Sequence, residues 1–295
     1  MERGALYSTL IIAYLFLGGA AGGGFLVMAA WSLAFHRRAP YRSDRLRTAF
    51  RTLKSAVYTA CTAILAISMI CLWWDLEMPD RALLIFLIPR PTVLTFGAVV
   101  LACELGLGIL LTLANLFHSR LLGGAVKRVL ETLCCLCSVA VMAYTGVFLM
   151  SNIGVPLWHT PALVGLFFFS ALSSGISTVL LIDYFVQGQT YLLRATRPLQ
   201  RCHLACLALE FLCLGAFVGA TAANPKAAAS LALITSPDLL PVSILGVIGL
   251  GIVIPFLVEL YALLRKDCRT IPVSDFVCLV GACCLRWIVI VCGVH

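Results

Sequence analysis

Charged side chains are scarce in this 295-residue chain, where Asp, Glu, Lys and Arg together make up only 12% of the residues. Soluble domains carry about 25% charged residues, and a soluble globule of this size would expose too much surface for so few charges to cover. The shortage excludes a cytosolic enzyme, a secreted disulfide scaffold and a disordered chain. With 62% hydrophobic residues and a mean hydropathy of +1.04, the composition indicates a polytopic membrane protein.

Long hydrophobic runs account for nearly the whole sequence. A membrane span needs about 20 apolar residues, and eight stretches qualify: residues 8–36, 54–74, 91–117, 127–150, 160–186, 202–222, 240–264 and 273–294. They are rich in Leu, Ala, Val and Ile with Gly throughout, which is typical of membrane helices rather than barrel strands. The predicted fold class is therefore all-α, with residues 1–295 forming a single integral membrane domain.

Two short apolar segments held between prolines, at 76–90 and 224–238, are too short to cross and suit the membrane interface. They lie four spans apart, which predicts two four-helix bundles in the same orientation. Span 1 contains a glycine-rich stretch, residues 18–24, which predicts close packing of helix backbones.

Lys and Arg are distributed unevenly between the two sides. Seven follow span 1, and three each follow spans 3, 5 and 7, against four on the other side. The net charge of +8 is therefore explained by membrane topology and does not indicate a nucleic-acid partner. The positive-inside rule predicts that the end of the bundle bearing the sixteen charges, called here the basic end, is cytoplasmic and that both termini lie outside. The basic loop also suits contact with anionic membrane lipid.

Ligands for metals and haem are few or poorly placed. Haem b needs histidines that face a common cavity from two spans, and no pair among His36, His118, His159, His203 and His295 is deep enough. Most of the 14 cysteines lie within apolar spans, where a thiol stays protonated and packs as a small hydrophobe. We therefore expect interfacial solvation of each histidine, and no haem, iron–sulfur cluster or metal in this chain.

Five ionisable residues stand out within the spans, where a charged group costs about 2.5–3.5 kcal/mol to insert and is a functional candidate by default. Arg286 and Glu104 lie at similar depths, roughly 20 Å from the basic end, with Glu210 below them and Asp183 and Glu259 nearest that end. Together they trace a polar line into the bundle. Two interpretations stay open: structural pairing of Arg286 with Glu104 or Glu210, and proton conduction.

The opposite end offers residues suited to a quinone. Tyr144 lies about 9 Å below the end of span 4, and Asp75 ends span 2 beside Trp74. A quinone site needs a flat apolar slot, a donor for a carbonyl oxygen and an acceptor for the quinol proton. Tyr144 and Asp75 could supply the two polar groups, although a tyrosine near a helix end is also typical of an aromatic belt.

Several motifs carry a family resemblance. The most specific are residues 144–149 (YTGVFL), 156–158 (PLW), 161–163 (PAL) and 169–175 (FSALSSG), supported by 14–19 (YLFLGG), 75–79 (DLEMP) and 285–293 (LRWIVIVCG). These motifs resemble the NrfD/PsrC family, the membrane subunits of polysulfide reductases and related respiratory complexes. The resemblance covers nearly the whole sequence.

The resemblance implies an eight-helix, haem-free anchor in the inner (cytoplasmic) membrane of a prokaryote. Such anchors exchange electrons between membrane quinone and a ferredoxin-like subunit with several iron–sulfur clusters, often with a molybdopterin catalytic subunit beyond it. The resemblance also implies that Tyr144 contacts the quinone near the outer face. The family's first helix contributes a histidine and an asparagine, which the outer half of span 1 lacks. Asp75 therefore becomes the leading proton acceptor, with Tyr14, Trp74 and His159 as further candidates for the site.

We therefore predict a quinone- or quinol-reactive subunit of a respiratory oxidoreductase, not catalytic alone, that uses menaquinone or ubiquinone between the outer halves of spans 1–4. The iron–sulfur partner would sit on loops 75–91, 151–160 and 223–240, and the polar line would serve proton translocation. The alternative is a secondary transporter with Arg286, Glu104 and Glu210 as its coupling site. Transporters favour helices broken near mid-membrane, whereas only Pro255 interrupts a span interior here.

Overall fold

The computed structural model is all-helical over the residues it describes, which are 9–37, 44–75, 92–117, 123–152, 154–187, 193–237, 239–264 and 272–294. Eight helices are long and apolar enough to cross a membrane, which confirms the predicted spans. In sequence order they are Thr9–Arg37, Asp44–Asp75, Val93–Leu116, Gly124–Met150, Pro161–Gln187, Leu193–Ala222, Val242–Leu264 and Pro272–Val294.

Two spans begin well before their apolar runs. Span 2 begins at Asp44 and span 6 at Leu193, whereas hydrophobicity alone predicts that these helices begin at residues 54 and 202. Arg and Leu are good helix formers, so each helix begins before its apolar run. Arg45, Arg47 and Arg51 in this part of span 2 are exposed. Asp44 lies in the first turn of span 2, 3.7 Å from Arg47, where a carboxylate also suits the positive end of the helix dipole.

Span 7 changes its winding along its length. Residues Val242–Val253 form a π-helix and Ile254–Leu264 an α-helix. The N–H of Ile254 donates to the carbonyl of Gly249, five residues earlier, and the next residue, Pro255, has no N–H to donate. The proline predicted to interrupt this span therefore follows a stretch of wider turns, which is long for a π-helix.

Spans 1 and 5 form the centre of the molecule. Span 1 packs against spans 2, 4 and 5, while span 5 also packs against spans 6 and 8. A Cβ added at Gly175 of span 5 would lie 2.2 Å from the carbonyl carbon of Gly23, so the two backbones touch. This contact confirms the close packing predicted from the glycine-rich stretch. The division into two four-helix bundles stays a prediction.

Short segments join the spans at the end opposite the basic one. A 3-10 turn, Pro156–Trp158, follows span 4, and a short helix, Ala228–Ile234, lies between spans 6 and 7. The latter agrees with the predicted interfacial segment, whereas the segment at 76–90 lies outside the described residues. Trp158 is buried, and its indole N–H donates to the carbonyl of Val289 at 2.8 Å. This bond fastens the loop between spans 4 and 5 to span 8.

Candidate functional site

Two buried tyrosines meet below the end opposite the basic one. Tyr14 is five residues inside span 1 and Tyr144 is six residues inside span 4, which places both about 8–9 Å from their helix ends. The two phenols interact electrostatically, and the Tyr14 hydroxyl is buried without a hydrogen bond of standard geometry. The structure therefore brings together two of the predicted quinone-site residues.

The Tyr144 phenol lies against the first turns of span 3. A Cβ added at Gly97 would be 1.9 Å from the ring carbon that bears the hydroxyl and 2.4 Å from the hydroxyl oxygen. Only a glycine at this position leaves room for the phenol. The neighbouring Leu94 and Phe96 are exposed on the outside of span 3, so the phenol pair is separated from the lipid by a single helix.

Span 1 is fixed around Tyr14 by its two neighbours. Ser68 of span 2 donates its hydroxyl to the Tyr14 carbonyl at 3.0 Å, and Arg286 of span 8 donates through Nε to the Leu15 carbonyl at 3.2 Å. Both contacts are buried. A phenol on this stretch of backbone therefore has little freedom to move.

The other predicted quinone-site residues lie nearer the surface of that end. Asp75 is the last residue of span 2 and is half-buried. Trp74 is 78% exposed, which is typical of an interfacial aromatic belt, and His159 is exposed in the loop after span 4. Asp75 thus lies at the same end of the bundle as the phenol pair, while the Trp74 and His159 side chains are exposed there.

Arg286 occupies the middle of the protein. Its guanidinium is fully buried and donates to the Ser170 hydroxyl at 3.2 Å and to the Ala282 carbonyl at 2.8 Å. Ser170 in turn faces the carboxyl group of Glu210. The Arg286 Nη2 atom has no hydrogen-bond partner among the described residues and is directed at Gly19, where a Cβ would be 2.9 Å away. Arg286 and Glu210 therefore share Ser170 as a neighbour, and within the described residues they form no ion pair shorter than 4 Å.

Two aromatic rings, those of Phe16 and Phe167, also stabilise the positive charge of Arg286. The guanidinium carbon is 5.8 Å from the centre of the Phe16 ring and 5.5 Å from that of Phe167. Cation–π attraction of this kind is worth about 2 kcal/mol or more when the charge is desolvated. It offsets part of the cost of burying a guanidinium without a carboxylate in contact.

Glu104 does not join this group, so of the two alternative partners considered for Arg286, Glu104 and Glu210, only Glu210 lies near it. Its carboxylate accepts from Ser138 at 2.5 Å and contacts the Cys134 thiol at 3.9 Å, because span 3 packs on spans 2 and 4 and not on span 8. Asp183 stands apart as well, with one buried carboxylate oxygen that has no partner among the described residues. The single polar line predicted from depth is therefore wrong, since equal depth does not bring side chains on different helix faces together.

A second polar cluster lies nearer the basic end, between spans 5, 6, 7 and 8. His203 is fully buried; its Nδ1 bonds Glu259 and its Nε2 lies 3.0 Å from the Ser173 hydroxyl. Asp275 completes the cluster, with all three potential ligand atoms within 4.8 Å of one another. The prediction of interfacial solvation for His203 is wrong, because span 6 begins nine residues earlier and carries this position into the bundle.

The first half of the protein holds a buried ion pair near the same end. Lys54 of span 2 contacts Glu131 of span 4, and the Ser32 hydroxyl donates to the same carboxylate at 2.9 Å. Lys54 therefore does not belong with the solvated loop charges. Sequence reasoning missed Glu131 and Asp275 because both lie close to the first residue of an apolar run, where a carboxylate usually faces water.

An apolar groove of about 370 Å³ opens between spans 6 and 7, well away from the phenol pair. Its lining is almost wholly apolar and includes Leu207, Phe211, Ile252 and Phe256. A quinone head group needs hydrogen bonds that these side chains cannot give. The groove therefore suits an acyl chain rather than a redox-active head group.

Comparison with known proteins gives a match along the whole sequence. Residues 1–295 match the family described as polysulphide reductase, NrfD. The C subunit of the polysulfide reductase of Wolinella succinogenes is 30% identical over 201 residues, which cover 65% of the present protein and 60% of that relative. The matched region therefore spans less than two thirds of this relative's length.

Proposed function

The chain belongs to the polysulphide reductase NrfD family, and from this premise we propose that it is the quinone-reactive membrane subunit of a respiratory oxidoreductase. The observation that supports the proposal most directly is the buried Tyr14–Tyr144 pair beside Gly97. The Tyr14 hydroxyl makes no hydrogen bond of standard geometry, and an unsatisfied polar group in a low-dielectric site gains from a ligand that pairs with it. Tyr144 beside it is the residue that the family resemblance implies contacts the quinone.

In the proposed reaction, a quinol binds between the outer halves of spans 1–4. Tyr144 donates a hydrogen bond to one quinone oxygen, and Asp75 accepts a proton as the quinol is oxidised. Oxidation of one quinol to quinone releases two protons and two electrons. The electrons pass to the iron–sulfur clusters of a ferredoxin-like subunit docked at this end, and the reverse sequence reduces quinone.

The partner proposal rests on the kind of protein to which this one is similar. The Wolinella succinogenes relative is by its name one component of a polysulfide reductase. We propose that the present protein likewise anchors an iron–sulfur subunit, with a molybdopterin or other catalytic subunit beyond it. Because the described part of the protein is a helical membrane domain, electrons leaving the quinone need acceptors outside it.

The proposed path for protons runs through the centre of the protein. Arg286 donates to Ser170, Ser170 faces Glu210, and Arg286 also bonds the backbone next to Tyr14. This group could carry protons between the quinone site and the basic end, which the charge distribution predicts to be cytoplasmic. Glu104 and Asp183 lie off this path.

The transporter alternative has one observation in its favour, the π-helical stretch in span 7. This stretch is apolar apart from Ser243, however, and carries no charged side chain for a substrate. Coupled transport would also be measurable in vesicles without a redox partner. Quinone-dependent electron transfer is therefore the function we test first.

The decisive experiment measures quinol-dependent reduction of the partner's iron–sulfur clusters in membranes that contain the assembled complex. Tyr144→Phe removes one hydroxyl and keeps the ring. A neutral hydrogen bond contributes about 0.5–1.5 kcal/mol net, so quinol affinity should fall by roughly 3–10-fold. Asp75→Asn should instead leave binding measurable and reduce turnover strongly, because proton acceptance is lost.

Two matched controls separate a quinone role from a general loss of structure. Tyr58→Phe removes another buried phenol hydroxyl that makes no standard hydrogen bond, but from the basic half of the protein. Asp44→Asn neutralises the carboxylate at the other end of span 2 from Asp75. Both controls should keep normal rates. Near-normal rates in Tyr144→Phe and Asp75→Asn as well would contradict the proposed site and move it towards His159 or the segment 224–238.

A further inference from the structure

The cluster of His203, Glu259 and Asp275 has the composition and geometry of a metal site. One ligand atom from each residue lies within 4.8 Å of the other two. The three residues come from spans 6, 7 and 8, so helix packing rather than local sequence assembles the set. All three are at least nine-tenths buried, at 0%, 7% and 2% exposure.

The cluster leaves carboxylate oxygens without partners among the described residues. Glu259 uses one oxygen for His203, while its Oε2 and the Oδ1 of Asp275 are buried and make no hydrogen bond there. Each such group costs about 1–3 kcal/mol, and more when it is charged. Within the part of the protein that the structure describes, no Lys or Arg lies within 4 Å of either carboxylate. The cluster therefore has two acidic groups and a shortage of positive charge.

We propose that His203, Glu259 and Asp275 bind a divalent transition-metal ion, with Zn²⁺ the expected occupant. Two carboxylates balance the charge of a divalent cation, and an imidazole nitrogen with carboxylate oxygens is a donor set that Zn²⁺ accepts. Three protein ligands leave a fourth position for a water. An ion would take the place of the hydrogen bond between His203 and Glu259.

The surroundings of His203 suit a metal ligand. Its Nδ1 bonds Glu259, while its Nε2 lies 3.0 Å from the Ser173 hydroxyl and 3.3 Å from that of Ser177. Metal-binding histidines commonly use the second ring nitrogen in this way, which fixes the tautomer and the ring orientation. Asp275 is three residues inside span 8 and Glu259 five residues from the end of span 7, about 5–8 Å from the basic end. The cluster therefore lies closer to the water on that side than to the other end of the bundle.

The site is independent of the proposed quinone chemistry, which lies at the other end of the bundle. A bound ion removes Glu259 from proton transfer, so that the proposed proton path begins at Glu210. The prediction that this protein binds no metal rested on cysteines that pack as protonated thiols and on histidines placed at the interface. The structure corrects that placement for His203, which is fully buried.

The test is zinc analysis of the intact complex, purified in lipid nanodiscs, together with a Zn²⁺ titration of the same complex after dialysis against a chelator. The wild type should hold about one more Zn²⁺ per complex than Asp275→Asn or Glu259→Gln, and it should take up that ion again on titration. Asp183→Asn serves as the matched control, because it removes another buried carboxylate with an oxygen that makes no standard hydrogen bond. It should retain the ion.

The outcomes distinguish a cluster that binds a metal ion from one in which protons alone neutralise the carboxylates. Equal zinc contents in the wild type and both variants, with no uptake on titration, would show that protons alone satisfy the carboxylates and would overturn the proposal. If the variants fail to assemble, the titration of wild type still decides. Zn²⁺ binding to the wild-type complex should raise its melting temperature as the free Zn²⁺ concentration rises. A constant melting temperature would refute the site.

Discussion

Gly97 provides a sharp test of how Tyr144 is positioned. In Gly97→Ala, the added methyl would lie 1.9 Å from the nearest ring carbon of Tyr144, whereas ordinary contact begins near 3.4 Å. The phenol or span 3 must therefore shift by about 1.5 Å. Misplacement of a reacting group by about 1 Å can cost on the order of 10²-fold in rate. We expect quinol-dependent turnover to fall by roughly this factor, while Ala itself favours the helix over Gly.

The assay is reduction of the partner's clusters over a range of quinol concentrations, with the amount of assembled complex measured in the same membranes. Gly106→Ala is the matched control, because it lies on the same span with no atom near its added methyl, and it should keep full activity. Tyr144→Phe combined with Gly97→Ala should cost little more than Gly97→Ala alone, since contacting residues couple. Normal turnover in assembled Gly97→Ala, or strictly additive losses in the double variant, would refute the reasoning.

Two further predictions concern packing and orientation. Gly175→Ala should abolish accumulation of the folded protein in the membrane, because its methyl would overlap the backbone of Gly23. The control variant Gly215→Ala, whose methyl meets no atom, should accumulate normally. Equal yields of the two variants would contradict the contact between spans 1 and 5. A reporter that is active only in the cytoplasm should be silent when fused after His295, because most Lys and Arg follow odd-numbered spans; a bright signal would reverse the predicted orientation and place the phenol pair on the cytoplasmic side.

Much of the fold could be predicted because burial in lipid leaves few choices for an apolar run. Every one of the eight spans follows from its length, and the close contact of spans 1 and 5 follows from the glycine-rich stretch. The starts of spans 2 and 6 could not be predicted in this way, since a helix can continue into water with no change in hydrogen bonding. Lys54 and His203 were misplaced for this single reason.

The candidate site was predicted in part. The depth of Tyr144 and Tyr14 places both at one end of the bundle, and the structure brings them together. Depth alone could not say that Glu104 faces Ser138 while Arg286 faces Ser170, because rotation of a helix about its axis leaves depth unchanged. The partners of a buried charge depend on which spans are neighbours, and a single sequence does not encode this in any local pattern.

The hydrogen bond from Arg286 to the carbonyl of Leu15 joins residues 271 positions apart, and this has a consequence for biosynthesis. A polypeptide is made from its N-terminus, so span 1 resides in the bilayer while six further spans are inserted. During that time the space beside Gly19 lacks its guanidinium, and the backbone next to Tyr14 lacks one of its two anchors. Release of span 8 from the ribosome supplies both at once. A truncated polypeptide without span 8 therefore keeps only the Ser68 contact to this stretch of span 1.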